Sequence, residues 1–408
     1  MKVWKIYRLG DVVRFNPIER LSKGAIAKKV PMECLQPYTR MVSSYEISLY
    51  SGGSKFRNGD TLMARITPCL ENGKTAYISI LDKGEIGFGS TEYIVFRNIE
   101  GVTDSKFVYY FVTNPWFRDI AIKSMVGSSG RQRVQQSVLE NLEVSLPSLA
   151  EQKRIANILG AFDDKIELNR RINDNLEEQA KALFKSWFVD FEPFKNGPFA
   201  DSELGKIPQG WTIGTLSDVG DVIGGGTPSK AVSEYYTNEG IAWITPKDLS
   251  TNNCKFISRG ETDISELGYK NSNAKLMPRG SVLFSSRAPI GYISIAKNEI
   301  CTNQGFKSIV PQKAGTCFIY YFLRNNTSKI ESMASGSTFK EASGGLMKLL
   351  EVIIPTKEIL TNFEKAVQPL FDMQENNEDE SIRLSVLRDT LLPKLMSGEL
   401  SIEEVSFD

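Results

Sequence analysis

Residues 146–188 read LPSLAEQKRIANILGAFDDKIELNRRINDNLEEQAKALFKSWF, and this stretch decides the fold. Residues at a spacing of three and four positions form the seam of a predicted helix that packs against a second helix. This seam is apolar at both ends and polar in its middle. Its residues are Leu159, Phe162, Ile166, Asn169, Asn173, Leu176, Ala180, Leu183 and Trp187. A helix of about 40 residues is about 60 Å long at roughly 1.5 Å per residue, so it could serve as a spacer.

The same pattern occurs again near the end of the chain, and each copy follows a proline, Pro147 or Pro355. The second seam consists of Val367, Leu370, Gln374, Asn377, Ser381, Leu384, Arg388, Leu391 and Leu395. Buried polar residues at the centre of a seam reduce stability but can fix register and partner choice. We therefore expect the two helices to pair with each other; two separate surface helices are the alternative.

The segments that precede the two helices are also repeated. WKIYRLGDV (4–12) matches WTIGTLSDV (211–219), GDTLMARITP (59–68) matches GSVLFSSRAP (280–289), and FVYYF (107–111) matches FIYYF (318–322). Each segment contains short β-branched and aromatic runs separated by Gly, Pro and Asn, which is typical of β-rich domains.

The predicted fold class is therefore α+β, with two repeated β-rich domains and two long helices that pair as a coiled coil. The predicted boundaries are a first domain at residues 1–147, a helix at 148–190, a linker rich in proline and glycine at 191–210, a second domain at 211–355, and a helix with a tail at 356–408.

Composition limits the possible functions. The chain has 408 residues, and no apolar run approaches the roughly 18 residues that a membrane span requires. The N-terminus has no apolar secretion signal and the five cysteines are scattered, so we expect a cytoplasmic protein without a membrane contact. Histidine is absent and no CxxC pair occurs. We therefore expect no catalytic residue, metal site or cofactor in this chain.

Charge is balanced overall but unevenly distributed. Residues 270–350 contain eleven Lys or Arg and three Glu, whereas residues 371–408 contain ten acidic and three basic residues. A basic, β-rich domain with many Asn, Gln, Ser and Thr side chains suits phosphate anchoring and hydrogen bonding to base edges. A merely solvated basic surface is the alternative.

Two pairs of matched loops supply the candidate DNA contacts. GSSGRQRVQQ (127–136) and GSTFKEASGG (336–345) precede the two helices, and the other pair lies within the matched runs GDTLMARITP (59–68) and GSVLFSSRAP (280–289). Arg and Gln can bind guanine and adenine edges, and hydroxyl groups can bind phosphate. The predicted contacts are Arg65, Thr67, Ser128, Ser129, Arg131, Arg133, Gln135, Ser285, Ser286, Arg287, Ser337, Thr338 and Lys340. For each residue, an exposed structural role is the alternative.

The duplicated plan, the proline before each helix and above all LPSLAEQKRIANILGAFDDKIELN (146–169) resemble the specificity subunits of type I restriction-modification systems. The resemblance covers nearly the whole chain. It implies two target recognition domains that each read one half of a split double-stranded DNA sequence, joined by two long antiparallel coiled-coil helices.

The resemblance also implies partners. Methyltransferase (modification) subunits would dock on the helices and a motor-nuclease (restriction) subunit would join them, with S-adenosylmethionine, ATP and Mg on these partners. The second helix lacks the Glu-Gln-Lys-Arg of residues 151–154, so equal docking on both helices is an open question.

Two other functions have less support. A stand-alone DNA methyltransferase would need an [ND]PP[YF] stretch and a glycine-rich cofactor loop, and the sequence has neither. A coiled-coil scaffold that binds only proteins would not need the basic surplus at residues 270–350. Salt-dependent binding to duplex DNA would separate the scaffold from the DNA reader.

Overall fold

The computed structural model describes residues 4–251, 254–336 and 340–404. The chain divides into two compact units: unit 1 comprises Met1–Leu168 with Glu380–Asp408, and unit 2 comprises Asn169–Asp379. The boundary crosses both long helices, so each unit contains one β-rich domain and one half of each helix. None of the described helices combines the length and apolar character needed to span a membrane.

Unit 1 contains three small sheets and short helices. In chain order its elements are β1 (Lys5–Arg8), α1 (Leu9–Val12), β2 (Val13–Phe15), β3 (Ile26–Val30), a 3-10 helix (Met32–Cys34), β4 (Glu46–Leu49), β5 (Lys55–Phe56), β6 (Thr61–Ala64), β7 (Thr75–Tyr77), β8 (Gly87–Gly89), β9 (Tyr93–Asn98), α2 (Ser105–Thr113), α3 (Pro115–Lys123), α4 (Gln136–Glu140), β10 (Glu143–Leu146) and the long helix α5 (Leu149–Phe188). The sheets have the strand orders β1-β10, β2-β9-β6-β7 and β4-β3-β8-β5.

Helix α2 organises the main core of unit 1. Its first turn is capped by the side chain of Asp104, which accepts a hydrogen bond from Phe107 N at 3.0 Å. The buried side chains of α2 lie in one cluster with Leu159 of α5 and with Leu395 near the C-terminus. The β-rich domain therefore packs directly on the helix segments of its own unit.

Unit 2 has a larger central sheet. Its elements are a 3-10 helix (Glu192–Phe194), β11 (Phe199–Ser202), β12 (Gly205–Pro208), β13 (Thr212–Thr215), α6 (Leu216–Val219), β14 (Gly220–Gly224), a 3-10 helix (Ser233–Tyr235), β15 (Tyr236–Thr237), β16 (Trp243–Ile244), α7 (Pro246–Thr251), β17 (Phe256–Ile257), β18 (Asp263–Ile264), α8 (Glu266–Lys270), β19 (Val282–Ser286), β20 (Ile290–Ala296), β21 (Cys301–Thr302), β22 (Lys307–Pro311), α9 (Thr316–Met333), α10 (Gly344–Lys348), β23 (Glu351–Ile354) and the long helix α11 (Lys357–Ser397). The central sheet has the order β14-β22-β19-β20-β17. A last 3-10 helix, Ile402–Glu404, returns to unit 1.

The predicted repeat is confirmed at the level of strand register. Strands β1 and β10 pair antiparallel with Lys5 opposite Leu146, and β13 and β23 pair antiparallel with Thr212 opposite Ile354. The first strand of each pair, β1 or β13, is followed directly by a one-turn helix, α1 or α6. Each long helix also begins beside a hydroxyl side chain, Ser148 or Thr356, that accepts a hydrogen bond from a first-turn N–H.

Residues 191–210, predicted to be a linker, form a packed segment. Strands β11 and β12 form a hairpin whose turn contains Gly205 at φ +97°. The rings of Phe191 and Phe194 contact the ring of Trp211 at centroid distances of 5.6 and 5.0 Å. The sequence did not predict this hairpin, because its strands are only four residues long and the segment is rich in proline and glycine.

The polar centre of the two seams lies in unit 2, where the helix segments are antiparallel. Asn173 Nδ2 donates to Gln374 O at 3.1 Å, and Gln374 Nε2 donates to Asn173 O at 3.1 Å. Asn377 Nδ2 donates to Asn173 Oδ1 at 2.8 Å, and Asn169 Nδ2 donates to Asn377 O at 3.4 Å. These reciprocal amide bonds fix which turns of the helices lie opposite each other.

The other predicted seam residues are also shielded from solvent. The following are buried or half-buried: Leu159, Phe162, Ile166, Leu176, Leu183, Leu370, Leu384, Leu391 and Leu395. The α+β fold with two repeated domains and two long antiparallel helices is therefore confirmed.

In unit 1 a buried ion pair joins the β-rich domain to both helix segments. Asp163 of α5 accepts hydrogen bonds from Arg388 Nη1 of α11 and from the Tyr110 hydroxyl of α2, each at 2.5 Å. Arg40 pairs with the neighbouring Asp164. Because Asp163 and Arg388 are both almost fully buried, each depends on the other for charge compensation.

In unit 2, other charged residues join the β-rich domain to the two helix segments. Glu177 of α5 accepts hydrogen bonds from Lys255 Nζ at 2.7 Å, from the Tyr321 hydroxyl at 3.0 Å, and from Arg324. Burial lowers the pKa of Lys255 to about 8 although the Glu177 carboxylate opposes this. Glu378 of α11 accepts hydrogen bonds from the backbone N–H of Lys255 at 2.9 Å, and burial raises the pKa of its carboxyl to about 7.

Candidate nucleic-acid interface

In the first domain the two predicted loops are joined by hydrogen bonds. Val134 N donates to Arg65 O at 2.9 Å, and Thr67 N donates to Gln132 O at 3.1 Å. Gln132 N donates to the Thr67 hydroxyl at 3.0 Å. Thr67 is buried, so its predicted surface position is wrong: its hydroxyl joins the loops instead of facing solvent.

Five predicted residues of the same loops are exposed, namely Ser128, Ser129, Arg131, Arg133 and Gln135. Arg133 binds Glu92 through two side-chain nitrogens, with Nε at 2.9 Å from Oε2 and Nη2 at 2.7 Å from Oε1. The hydrogen bonds between the two side chains lower the pKa of the Glu92 carboxyl and raise the pKa of the Arg133 guanidinium. Arg65 is half-buried, and its Nε is buried without a hydrogen-bond partner. The charge of Arg65 also lowers the pKa of Glu92, so two arginines lie near one carboxylate.

In the second domain two predicted contacts are not on the surface. Ser285 and Ser286 end strand β19 and are fully buried. The Ser285 hydroxyl donates to Pro289 O at 2.8 Å, and the Ser286 hydroxyl donates to Gly305 O at 3.1 Å. Their predicted surface position is wrong because the strand extends further than the matched loop pattern indicates.

The remaining predicted residues of this domain lie in different environments. Arg287 is half-buried, and its Nη1 lies 3.4 Å from Glu341 Oε2. Lys307 Nζ contacts the other oxygen of Glu341 at 3.1 Å. Lys340 is exposed. Ser337 and Thr338 lie outside the described residues.

Arg287 opens onto a cavity of 740 Å³ in unit 2. Its wall combines the carboxylates of Asp248 and Glu261 with cationic and polar side chains suited to phosphates and base edges: Thr227, Lys230, Thr245, Lys247, Arg287, Asn303 and Gln304. Most of these residues could not be predicted from the sequence because they come from separate loops between 227 and 304. The glycine run GGGTPSK at 224–230 was one available signal. A Cβ added to Gly225 would lie 2.0 Å from Asn303 O, so glycine is needed for these loops to meet.

Fewer Lys and Arg side chains of residues 270–350 are available to DNA than their number in the sequence suggests. Six of its eleven cations pair with carboxylates among the described residues: Arg279, Arg287, Lys297, Lys307, Arg324 and Lys329. Arg279 and Lys297 bind the acidic residues Glu375 and Asp379 of α11. Part of the charge segregation therefore stabilises unit 2 internally.

Groups of three or more His, Cys, Asp or Glu side chains that could hold a metal ion do not occur within the described ranges. The two repeated domains instead present arginine, lysine and amide side chains on loops. Together with the shared helix pair, this arrangement defines a two-domain recognition subunit.

The family model of the type I restriction modification DNA specificity domain matches residues 1–178 and 208–380. The chain belongs to this family. It is a non-catalytic specificity subunit of a type I restriction-modification system, as the resemblance implies.

Relatives support this assignment along the whole chain. The chain is 28% identical to the type I restriction enzyme HindI specificity subunit of Haemophilus influenzae, over 98% of this chain and 100% of that protein. It is 37% identical to the MjaIX specificity subunit of Methanocaldococcus jannaschii, over 45% of this chain and 43% of that protein. The crystal structure of a type I S subunit from M. genitalium has the same fold, with a TM-score of 0.60 and 16% identity over 96% of both chains.

Proposed function

We propose that each β-rich domain reads one half of a split DNA target while the helix pair docks the methyltransferase subunits. The observation that carries this proposal is the repeat itself: in two domains the first and last strands pair in the same way, and each domain has a separate set of exposed polar and cationic loop residues. Two independent readers on one chain suit two half-sites separated by bases that neither domain contacts.

The first domain would use the exposed loop residues at 128–135, and the second would use the cavity around Arg287. In that cavity Lys230 is exposed and available for phosphate, whereas Lys247 already pairs with Glu261 at 2.6 Å. Gln304 is exposed; its Oε1 accepts a hydrogen bond from the Thr227 hydroxyl and has a second lone pair for adenine N6, while its Nε2 can donate to N7. The second half-site would therefore be read mainly by Arg287 and Gln304.

Replacing Arg287→Ala together with Gln304→Ala should change the preferred sequence of one half-site only. Each lost base contact costs about 1–3 kcal/mol of discrimination, so the relaxed positions should become methylated in sequences that the wild type ignores. The measurement is sequencing of methylated DNA from cells that carry the complete system. The wild type should give a gapped motif, and the variant should keep one half of it unchanged.

Lys313→Ala is a matched control, because Lys313 is exposed in the same domain and does not line the cavity. It should leave the motif intact. A continuous wild-type motif would contradict the split-target model. A variant that alters both half-sites would contradict independent reading by the two domains.

For partner docking, the helix segments of unit 1 carry exposed apolar side chains. Leu168 of α5 and Ile382, Val386 and Leu387 of α11 are 50–61% exposed. Ile382 and Val386 are four residues apart and therefore share one face of their helix. Apolar side chains on an otherwise polar helix surface are typical of a protein-binding site.

Ile382→Glu with Val386→Glu should strongly reduce co-purification with the methyltransferase subunits. Losing apolar anchors at the centre of an interface costs about 2 kcal/mol or more, which is a roughly 30-fold loss of affinity. Glutamate has a good helix propensity, so the helix itself should persist. The control is Thr361→Glu with Lys365→Glu, which adds two acids at the same spacing on an exposed polar part of the helix. Equal loss in both variants would point to general repulsion and contradict docking at Ile382 and Val386.

The finer assembly follows from the same proposal. A motor-nuclease subunit would join the methyltransferase complex for cleavage. S-adenosylmethionine, ATP and Mg would act on these partner subunits, and this chain would contribute DNA recognition and assembly. Membership of the specificity family supports this division of labour over a stand-alone methyltransferase or a scaffold that binds no DNA.

A further inference from the structure

The contact between Glu92 and Arg133 uses only one edge of the arginine. Glu92 lies in the turn between β8 and β9, and Arg133 lies in the loop before α4. Nε of Arg133 donates to Oε2 at 2.9 Å and Nη2 donates to Oε1 at 2.7 Å. This is a side-on, bidentate ion pair.

The opposite edge of the same guanidinium remains available. Arginine has five N–H donors in one plane, and the Glu92 contact engages the Nε–H and one Nη2–H. Both hydrogens on Nη1 and the second hydrogen on Nη2 point away from Glu92. Two parallel N–H groups at this end can donate together to guanine O6 and N7. Glu92 therefore leaves the guanine-binding edge of Arg133 free.

Both partners lie on hydrogen-bonded backbone. Arg133 N donates to Val126 O at 2.9 Å, and Val126 N donates to Arg133 O at 3.0 Å. Arg65 N donates to Glu92 O at 2.9 Å, and Val134 N donates to Arg65 O at 2.9 Å. The segments that carry Glu92 and Arg133 are thus connected through Arg65. An arginine whose plane is already fixed loses less side-chain entropy when it binds a base.

The Arg133 side chain is more exposed than the Glu92 side chain, as a contact between Arg133 and DNA requires. The Arg133 side chain is 45% exposed, whereas that of Glu92 is 25% exposed. The cation is therefore the more accessible member of the pair. In the second domain Arg287 contacts Glu341 through Nη1, which belongs to the end-on edge, so that arginine is not oriented in the same way.

We propose that Glu92 is a positioning residue that orients Arg133 to read a guanine in the half-site of the first domain. This inference rests on the proposed function, because it assigns a base and a second residue to one reading loop. Glu92 acts through Arg133 and does not itself contact the base.

The test uses the complex with methyltransferase subunits and a DNA panel in which each base pair of both half-sites is varied separately. Arg133→Ala should reduce the preference for one G·C pair by about 5- to 150-fold. Arg133→Lys should lose most of that preference too, because lysine cannot make the planar bidentate contact. Glu92→Ala should reduce preference at the same base pair and at no other.

A double-mutant cycle separates positioning from an independent effect. If Glu92 acts through Arg133, Glu92→Ala should cause no further loss of base preference in the Arg133→Ala background. Glu92→Gln keeps the size of the side chain and should fall between the wild type and Glu92→Ala. Arg131→Ala is the matched control: Arg131 is exposed on the same loop, and Glu92→Ala should still reduce the preference for the G·C pair in the Arg131→Ala background.

Two results would overturn the proposal. In the first, Glu92→Ala tightens binding to every sequence equally and steepens the salt dependence, which would show that Glu92 only repels phosphate. Alternatively, Arg133→Ala would leave every base preference unchanged, and no guanine would be read there. A wild-type complex that prefers no sequence would instead overturn the proposed function.

Discussion

Inserting one heptad into each long helix is expected to widen the gap between the two half-sites by about three base pairs. Seven helical residues add about 10 Å at roughly 1.5 Å per residue, and DNA rises about 3.4 Å per base pair. The insertions belong between Leu168 and Asn169 and between Asp379 and Glu380, where both helices pass from one unit to the other. A heptad preserves the phase of the seam on either side.

These positions leave intact the amide bonds of the polar centre and the two ion pairs between the helix segments of unit 1. The Asn173–Gln374 amide bonds lie on one side of both insertions, and the Asp163–Arg388 pair and the Lys165–Glu380 pair lie on the other. Sequencing the methylated motif in cells with the complete system measures the gap. An insertion in α5 alone is the control and should abolish methylation, because the two helices can no longer keep both sets of contacts. An unchanged gap in a folded, active double insertion would show that the helices do not set the spacing.

The helix pair could be predicted from the sequence because its signal is local. A spacing of three and four residues reports directly on which side chains share a face. The polar centre was informative for the same reason: Asn173, Gln374 and Asn377 occupy seam positions and bind one another. Antiparallel orientation came only from the family resemblance, since a repeated pattern fits either direction.

The candidate DNA contacts were harder to predict because exposure depends on tertiary packing. Ser286 and Arg287 are adjacent, yet one is fully buried and the other opens onto the cavity. Glu92 was not predicted at all, since nothing near it in the sequence indicates that it meets Arg133 forty-one residues later. The useful sequence signal was residue type within matched loops: it predicted Arg131 and Arg133, which are both exposed, but it could not define their partners.

Asp163→Ala is expected to destabilise unit 1 by about 3 kcal/mol. Among the described residues, the substitution leaves buried Arg388 with the exposed Asp389 as its one carboxylate partner, and it removes the acceptor of the Tyr110 hydroxyl. An arginine cannot release its proton to escape this cost, because its pKa lies far above neutral pH. Urea unfolding and amide hydrogen exchange of α2 and residues 155–168 measure the effect. Asp174→Ala is the control, since it removes an exposed pair with Arg170 and should cost at most about 1 kcal/mol.

The variant Asp163→Leu with Arg388→Met tests whether this ion pair is needed for stability or for specificity. Removing both charges avoids an uncompensated buried ion, so most of the stability lost in Asp163→Ala should return. Asp163 and Arg388 also fix the register of the two helix segments in unit 1, whereas leucine and methionine could pack in more than one register. We therefore expect the double variant to fold but to methylate motifs with a less uniform gap. A stable double variant with the wild-type motif would show that the Asn173–Gln374 centre alone fixes the register.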